Sequence, residues 1–152
     1  ADFPISFFHD ELAQLPNRSG PLHWHPEFEI ASSQAAILDF QVGRSHVILK
    51  PGDSIFVNAN VPHSIRQPEG PVPDPMPNIV FDAQLAAAGN SIINRQYIQP
   101  IKVCDSLPYV HFRSVEQGCA GIHAAIREIY AALRDKSPCY EMRVQRNLNS
   151  TF

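Results

Sequence analysis

The sequence predicts a mainly β protein, an antiparallel sandwich or barrel, followed by two α-helices. Two observations carry this. Before residue 80, short apolar runs recur at close spacing and are broken by proline and glycine, which is the pattern of a many-stranded antiparallel fold. From Ser114 to Lys136 proline disappears, and apolar residues recur at alternating spacings of four and three. That is the pattern of a helix with one apolar stripe.

The bulk numbers set the frame. A chain of 152 residues with 44% hydrophobic composition fits one domain with a sizeable core. A net charge of −3 does not suit a surface that must neutralise phosphates by itself. Any module that reads nucleic acid is therefore expected elsewhere. No apolar run approaches the ~18 residues of a membrane span. The opening ADFPISFFHDE lacks the basic start and long apolar core of a secretory signal. Cys104, Cys119 and Cys139 are odd in number and form no CxxC pair. They read as free, mostly buried thiols of a reducing compartment, and the expected location is the cytoplasm.

Taken in order, ADFPISFFHD forms either an edge strand or a mobile arm, with Phe3, Phe7 and Phe8 as core or cover. FEIASSQAAILDFQV, HVILK, SIFVNA, HSIRQ and NIVFD read as strands. KPGD, from Lys50 to Asp53, is a turn between two of them, with Asp53 as a turn-former. Five prolines between Pro68 and Pro77 make a loop, expected at the surface. In the helical part Val115, Cys119, Ile122, Ile126, Ile129 and Leu133 share one stripe. The stripe suits either docking on the chain's own sheet or a dimer seam. A second helix restarts with Ser137 as N-cap, Pro138 at its first position and Glu141 in its first turn. Val144, Leu148 and Phe152 lie on one face of it. The sequence stops there without a C-cap signal, so this helix is expected to be truncated within a longer protein.

The chemistry concentrates in HWHPEFE, residues 23–29. On a strand, side chains at i and i+2 face the same way. His23, His25, Glu27 and Glu29 would then share one face, with Trp24, Phe28 and Ile30 packing on the other. Pro26 disturbs that alternation, because it cannot donate to a ladder. Two imidazoles and a carboxylate are poor core material unless they line a cavity. They are natural ligands for a transition metal, and equally natural partners for hydroxyls or a carboxylate on a small molecule. His63, just after the strand and turn PGDSIFVNANVP, is the fourth member of the set. Glu27 reads as an exposed strand residue, and His9, His46, His111 and His123 as ordinary histidines. Arg44 and Arg66 are expected in solvent.

HxHxxxE followed by G-x10-H resembles the two motifs of the cupin superfamily. His23, His25 and Glu29 match the first motif and Gly52 and His63 the second. Ala36, Asn58 and Asn60 stand where the motifs have glycine, proline and glycine, so only turn positions depart. The order of HWHPEFEI, KPGDSIFVNANVPHSI, NIVFDAQL, QYIQPI and LPYVHF, then two helices, resembles the amino-terminal sensor domain of AraC-type transcription regulators. The resemblance implies a cupin-like antiparallel β-barrel (a jelly-roll, or double-stranded β-helix) over residues 1–113. It implies a helical dimerisation segment over residues 114–152, and a DNA-binding helix-turn-helix domain that this sequence does not contain. It also implies that His23, His25, Glu29 and His63 line a pocket for a small-molecule effector, a sugar or other polar metabolite. The same four residues occupy the positions that hold zinc, nickel, iron or manganese in metal-dependent cupins.

Three functions follow from these readings. The first is an effector-sensing and dimerisation domain that forms a homodimer through its C-terminal helices, has no membrane partner and reaches DNA only through its missing domain. The second is a metal-dependent cupin enzyme, a dioxygenase, isomerase or epimerase, with a three-histidine, one-glutamate site. The third is a ligand-binding module without regulatory output. The first is the expected one. The long helical segment favours it, since a minimal cupin enzyme does not need one.

Overall fold

A computed structural model describes residues 3–9, 11–70 and 73–152. Nine strands among them pair antiparallel throughout and form two facing sheets. The strands are β1 (Ile5–His9), β2 (Ser19–His23), β3 (Phe28–Ser32), β4 (Leu38–Val42) and β5 (Ser45–Leu49), then β6 (Ser54–Val57), β7 (His63–Arg66), β8 (Pro77–Phe81) and β9 (Tyr109–Phe112). The first sheet runs β1-β8-β3-β6-β9 and the second β2-β7-β4-β5. The chain passes repeatedly from one sheet to the other, as expected of a jelly-roll barrel. The amino-terminal segment is thus an edge strand along Ile5–His9, paired with β8. Its residues Ala1, Asp2 and Asp10 lie outside the described set.

Side-chain alternation splits the first sheet into two faces. Ala31, Ile55 and Val57 turn inward and join Phe40, Leu49 and Ile65 of the second sheet in the core between the sheets. Phe28, Ile30, Phe56, Ile79 and Phe81 turn outward. That outer face is covered by helices α2 (Ala120–Asp135) and α3 (Tyr140–Asn149), while a short helix α1 (Gln99–Lys102) follows a π-turn at Asn94–Ile98. Ile126, Ile129 and Leu133 are buried against this face together with Val144 and Leu148. Of the two roles open to the apolar stripe, the structure therefore shows docking on the chain's own sheet.

Several sequence expectations are corrected here. Val115 is 86% exposed and precedes the helix, which starts at Ala120 after a 3-10 turn. The second helix starts at Tyr140, because Cys139 takes a left-handed conformation with φ 64°. Ser137 caps nothing by its side chain and instead accepts a hydrogen bond from Arg143. Phe152 lies beyond the helix, which ends at Asn149, and its ring sits 5.7 Å from those of Phe28 and Phe56, tilted to the first and edge-on to the second. The three cysteines are free, as expected, but none is buried, and Cys139 is exposed.

FEIASSQAAILDFQV is two strands. It breaks at Ser33–Ile37, and the proline-rich loop explains the break. Asp74 is fully buried, against the expectation of a loop wholly at the surface. Its Oδ2 accepts hydrogen bonds from the N–H groups of Gln34, Ala35 and Ala36 at 2.9, 2.6 and 2.7 Å. Its Oδ1 accepts from Met76 N–H at 2.8 Å. Three successive amides turned onto one oxygen cannot at the same time belong to a strand ladder.

Asp53 does more than form the KPGD turn. Gly52 sits at φ 93°, and a Cβ there would meet Ser114 Cβ at 3.1 Å, so this turn requires glycine. The Asp53 carboxylate accepts from Lys50 N–H at 3.1 Å, Ser114 N–H at 2.8 Å and His111 Nε2 at 3.0 Å. Burial opposes its ionisation, but the Ser114 and Lys50 amides outweigh that and hold the carboxyl below its ordinary range. His111, expected to be an ordinary histidine, thereby fastens β9 to the turn.

Asp74→Ala removes the acceptor of four backbone amides, one in buried Met76 and three in the part-exposed segment Gln34–Ala36. The expected cost is about 3 kcal/mol, read as a lower urea midpoint at unchanged m-value. A midpoint equal to that of the unaltered protein would contradict this account of the loop.

Candidate functional site

HWHPEFE does not lie along one strand, as the alternation pattern suggested. β2 ends at His23 and β3 begins at Phe28, so the segment turns the corner between the two sheets. Pro26 stands in that corner, where no ladder donor is required. Asn60 N–H donates to His25 carbonyl oxygen at 2.8 Å and ties the corner to the β6–β7 turn. Trp24, expected to pack, is 66% exposed. Glu27 is only partly exposed.

The corner brings the four predicted residues together from three directions. His23 lies directly opposite His63 across the β2–β7 ladder, and their ring centroids are 4.4 Å apart. Glu29 reaches inward from β3 in the other sheet, and His25 stands between them. One ligand atom from each of the four residues falls within 4.8 Å of all the others. His23 is exposed and His25 partly so, whereas Glu29 and His63 are buried. The cluster therefore runs from the surface into the interior.

The turn positions that depart from the cupin motifs are accommodated. Asn60 adopts φ 60°, a conformation asparagine tolerates best after glycine. Asn58 is buried, and its Nδ2 donates to the carbonyls of Ile101 and Leu107 at 2.7 and 3.0 Å. Ala36 supplies one of the amides that hold Asp74.

Each imidazole is held by a backbone carbonyl two residues away. Nδ1 of His23 lies 2.9 Å from Pro21 O, that of His25 3.3 Å from Glu27 O, and that of His63 2.8 Å from Val61 O. A carbonyl only accepts, so Nδ1 carries the proton and donates in all three rings. Each neutral ring then presents an Nε2 lone pair toward the shared centre. His25 Nε2 and His63 Nε2 also lie 3.2 and 3.0 Å from Glu29 Oε2. Lone pairs facing a carboxylate repel, so the cluster calls for positive charge at its centre. Protons on the imidazoles supply it, or a metal ion does.

The charge states agree with this. The hydrogen bond to Glu29 raises His25 above its ordinary value, against an opposing effect of burial. Burial pushes the Glu29 carboxyl upward, but hydrogen bonds from His25 and His63 prevail and bring it down to about 2. Three imidazole nitrogens and one carboxylate oxygen also fit a divalent transition metal. Two ligands on one ion at about 2.1 Å sit no more than about 4.2 Å apart, so closing the set takes only small side-chain movements.

The cluster forms one wall of a cavity of about 250 Å³ between the sheets, which His23, Glu29 and His63 line with Phe40, Ile65 and Met76. Sequence reasoning missed Asn78, which lies on the same cavity wall. The only signal for it is the alternation in β8, where Asn78 and Val80 share the inward face. His123, expected to be an ordinary histidine, lies on α2 and is buried, with Nδ1 3.5 Å from the Ser54 hydroxyl. His9 and His46 are exposed, as expected. Arg44 is exposed, and Arg66 is exposed with an ion pair to Asp39 at 3.3 Å.

The pH dependence of the chelator-treated protein follows from the two shifts. Glu29 is lowered, so its contribution is complete above the ordinary carboxylate range and is lost as pH falls toward about 2. His25 is raised, so its contribution is complete below the ordinary value of 6.5 and is lost as pH rises through its raised value. The melting temperature should peak between these limits, and Glu29→Gln should flatten both limbs. Thermal melts across pH with an unaltered profile in that variant would contradict the assignment.

A family profile described as the cupin domain matches residues 12–72. The HTH-type transcriptional regulator YdeC of Bacillus subtilis (strain 168) is 24% identical over 97% of this chain, and the match takes in 50% of that protein. The chain thus spans about half the length of this curated relative. The crystal structure of an apo ToxT variant from Vibrio cholerae superposes with a TM-score of 0.56 over 97% of this chain and 53% of that one, at 6% identity. A variant of Bacillus subtilis oxalate decarboxylase aligns over 42% of this chain and 18% of its own, with 25% identity and a TM-score of 0.37. Residues 12–72 thus match the cupin-domain profile, within a sequence similar along nearly its whole length to half of an HTH-type transcriptional regulator.

Proposed function

We propose that this chain is the effector-sensing domain of an AraC-type transcription regulator, with the effector held in the cavity between the sheets. The observation that carries the reading is the convergence of His23, His25, Glu29 and His63, three of which, His23, Glu29 and His63, line that cavity. It occurs in a chain that aligns with half of a regulator. DNA is then read by a domain outside this sequence, and the whole protein works in the cytoplasm. No helix among the described residues is long and apolar enough to cross a membrane.

Dimerisation through residues 114–152 belongs to the same proposal. Ile126, Ile129 and Leu133 already pack on the chain's own sheet. A second copy would therefore meet the outward sides of α2 and α3, where Arg127, Arg134 and Met142 are exposed. A ligand shifts the DNA-binding state only through unequal affinity for two arrangements of the domain.

A second reading, a metal-dependent cupin enzyme, is favoured by the complete donor set. A bound metal would supply a Lewis acid that polarises an oxygen of the ligand. The protein's own part is to hold three Nε2 lone pairs and the Glu29 carboxylate in place through the carbonyl contacts of Nδ1.

In the full-length protein, His63→Ala and Glu29→Gln should leave DNA affinity unchanged and make reporter transcription unresponsive to the inducing growth condition. Induction equal to that of the unaltered protein would overturn the sensing role. Protein purified without chelator that holds far less than one equivalent of metal, and gains no turnover when metal is added, would reject the enzyme.

A further inference from the structure

Asn78 occupies an unusual place. It is 7% exposed, and its Oδ1 is buried without a hydrogen-bond partner. An orphaned amide of this kind costs stability unless something outside the fold completes it. Asn78 lines the same cavity as His23, Glu29 and His63, so one cavity joins the imidazole–carboxylate cluster to an unfilled hydrogen-bonding position.

The rest of the cavity is apolar. Leu12, Phe40, Ile65, Met76 and Val80 line it, with Phe8 and Leu15, both exposed, among the remaining lining residues. A sugar that entered would bury most of its hydroxyls against these side chains without partners, which is a heavy penalty for each group. A molecule with a small apolar body loses nothing by the same burial and gains contact area. A dry apolar cavity of about 150 Å³ accepts a benzene ring. A cavity of about 250 Å³ therefore has room for a substituted single ring or a short branched chain.

We infer that the effector is a compact amphipathic molecule, with an apolar body against Phe40, Ile65, Met76 and Val80 and a polar group that completes Asn78, and that Asn78 determines specificity. This rests on the sensing role proposed above and narrows its ligand class. The open position is the Oδ1 oxygen, which only accepts, so the complementary group on that molecule is a donor, a hydroxyl or an amine.

The test is calorimetric titration of the chain, with and without stoichiometric zinc, using two probe panels. One contains phenol, benzyl alcohol, benzylamine and isoamyl alcohol. The other contains D-arabinose, D-glucose and myo-inositol. At least one member of the first panel should bind, and none of the second. Asn78→Leu should weaken that binding at least tenfold while its melting temperature equals or exceeds that of the unaltered protein, because leucine removes an unsatisfied group at similar volume. Val80→Glu, which brings charge into the apolar wall, should abolish it. Sugar binding that is lost in His63→Ala would overturn the amphipathic class and leave the sensing role standing. Binding by neither panel would overturn both. First-panel binding unchanged in Asn78→Leu would overturn the role of Asn78.

Discussion

A buried carboxylate that must be neutralised organises this molecule. Glu29 sits inside the barrel with two imidazoles on one of its oxygens, and an unpaired charge there would be costly. The fold meets this demand with three histidines whose outer nitrogens are fixed by backbone carbonyls. The positions of β2, β7 and the corner after His23 follow from that requirement as much as from apolar packing. His23 and His63 need to face each other across a ladder while Glu29 arrives from the opposite sheet.

The same strand links this centre to the helices. β3 is the middle strand of its sheet and alternates Glu29 and Ala31 inward with Phe28, Ile30 and Ser32 outward. Ser32 meets the Tyr130 hydroxyl of α2 at 2.9 Å and the Ser54 hydroxyl at 2.8 Å. Burial raises the Tyr130 phenol well above its ordinary value, so it stays protonated and able to donate. Glu29 of the cluster and Ser32 of this buried polar contact with α2 thus sit three residues apart on one strand. A rigid strand between two packed faces is a physical route by which cavity occupancy biases the helical layer, provided that the layer has two arrangements.

Much of this was legible in the sequence, because side-chain spacing encodes it directly. Strand alternation, the KPGD turn and the helical stripe each rest on local periodicity, and they placed most of the elements. The convergence of His23, His25, Glu29 and His63 was legible because all four match motif positions at fixed spacing. Long-range hydrogen bonding was not legible. Nothing near Ser33 announces that Asp74 will draw three amides out of a strand. Nothing in the alternation of residues 23–29 reveals a change of sheet, although Pro26 marks the place. Asn78 reads as an unremarkable strand residue until its inward face and missing partner are seen. The helix starts at Ala120 and Tyr140 were also missed, since left-handed residues such as Cys139 carry no composition signal here.

The central claim is that three imidazoles present Nε2 to one shared, positively charged centre. Long-range nitrogen–proton correlation spectra of the histidine side chains test it most directly. The account predicts that His23, His25 and His63 all hold a proton on Nδ1. It also predicts that zinc titration shifts their three Nε2 resonances together, leaving His9 and His46 unmoved. Nε2-protonated neutral rings, or zinc responses scattered over the exposed histidines, would contradict it.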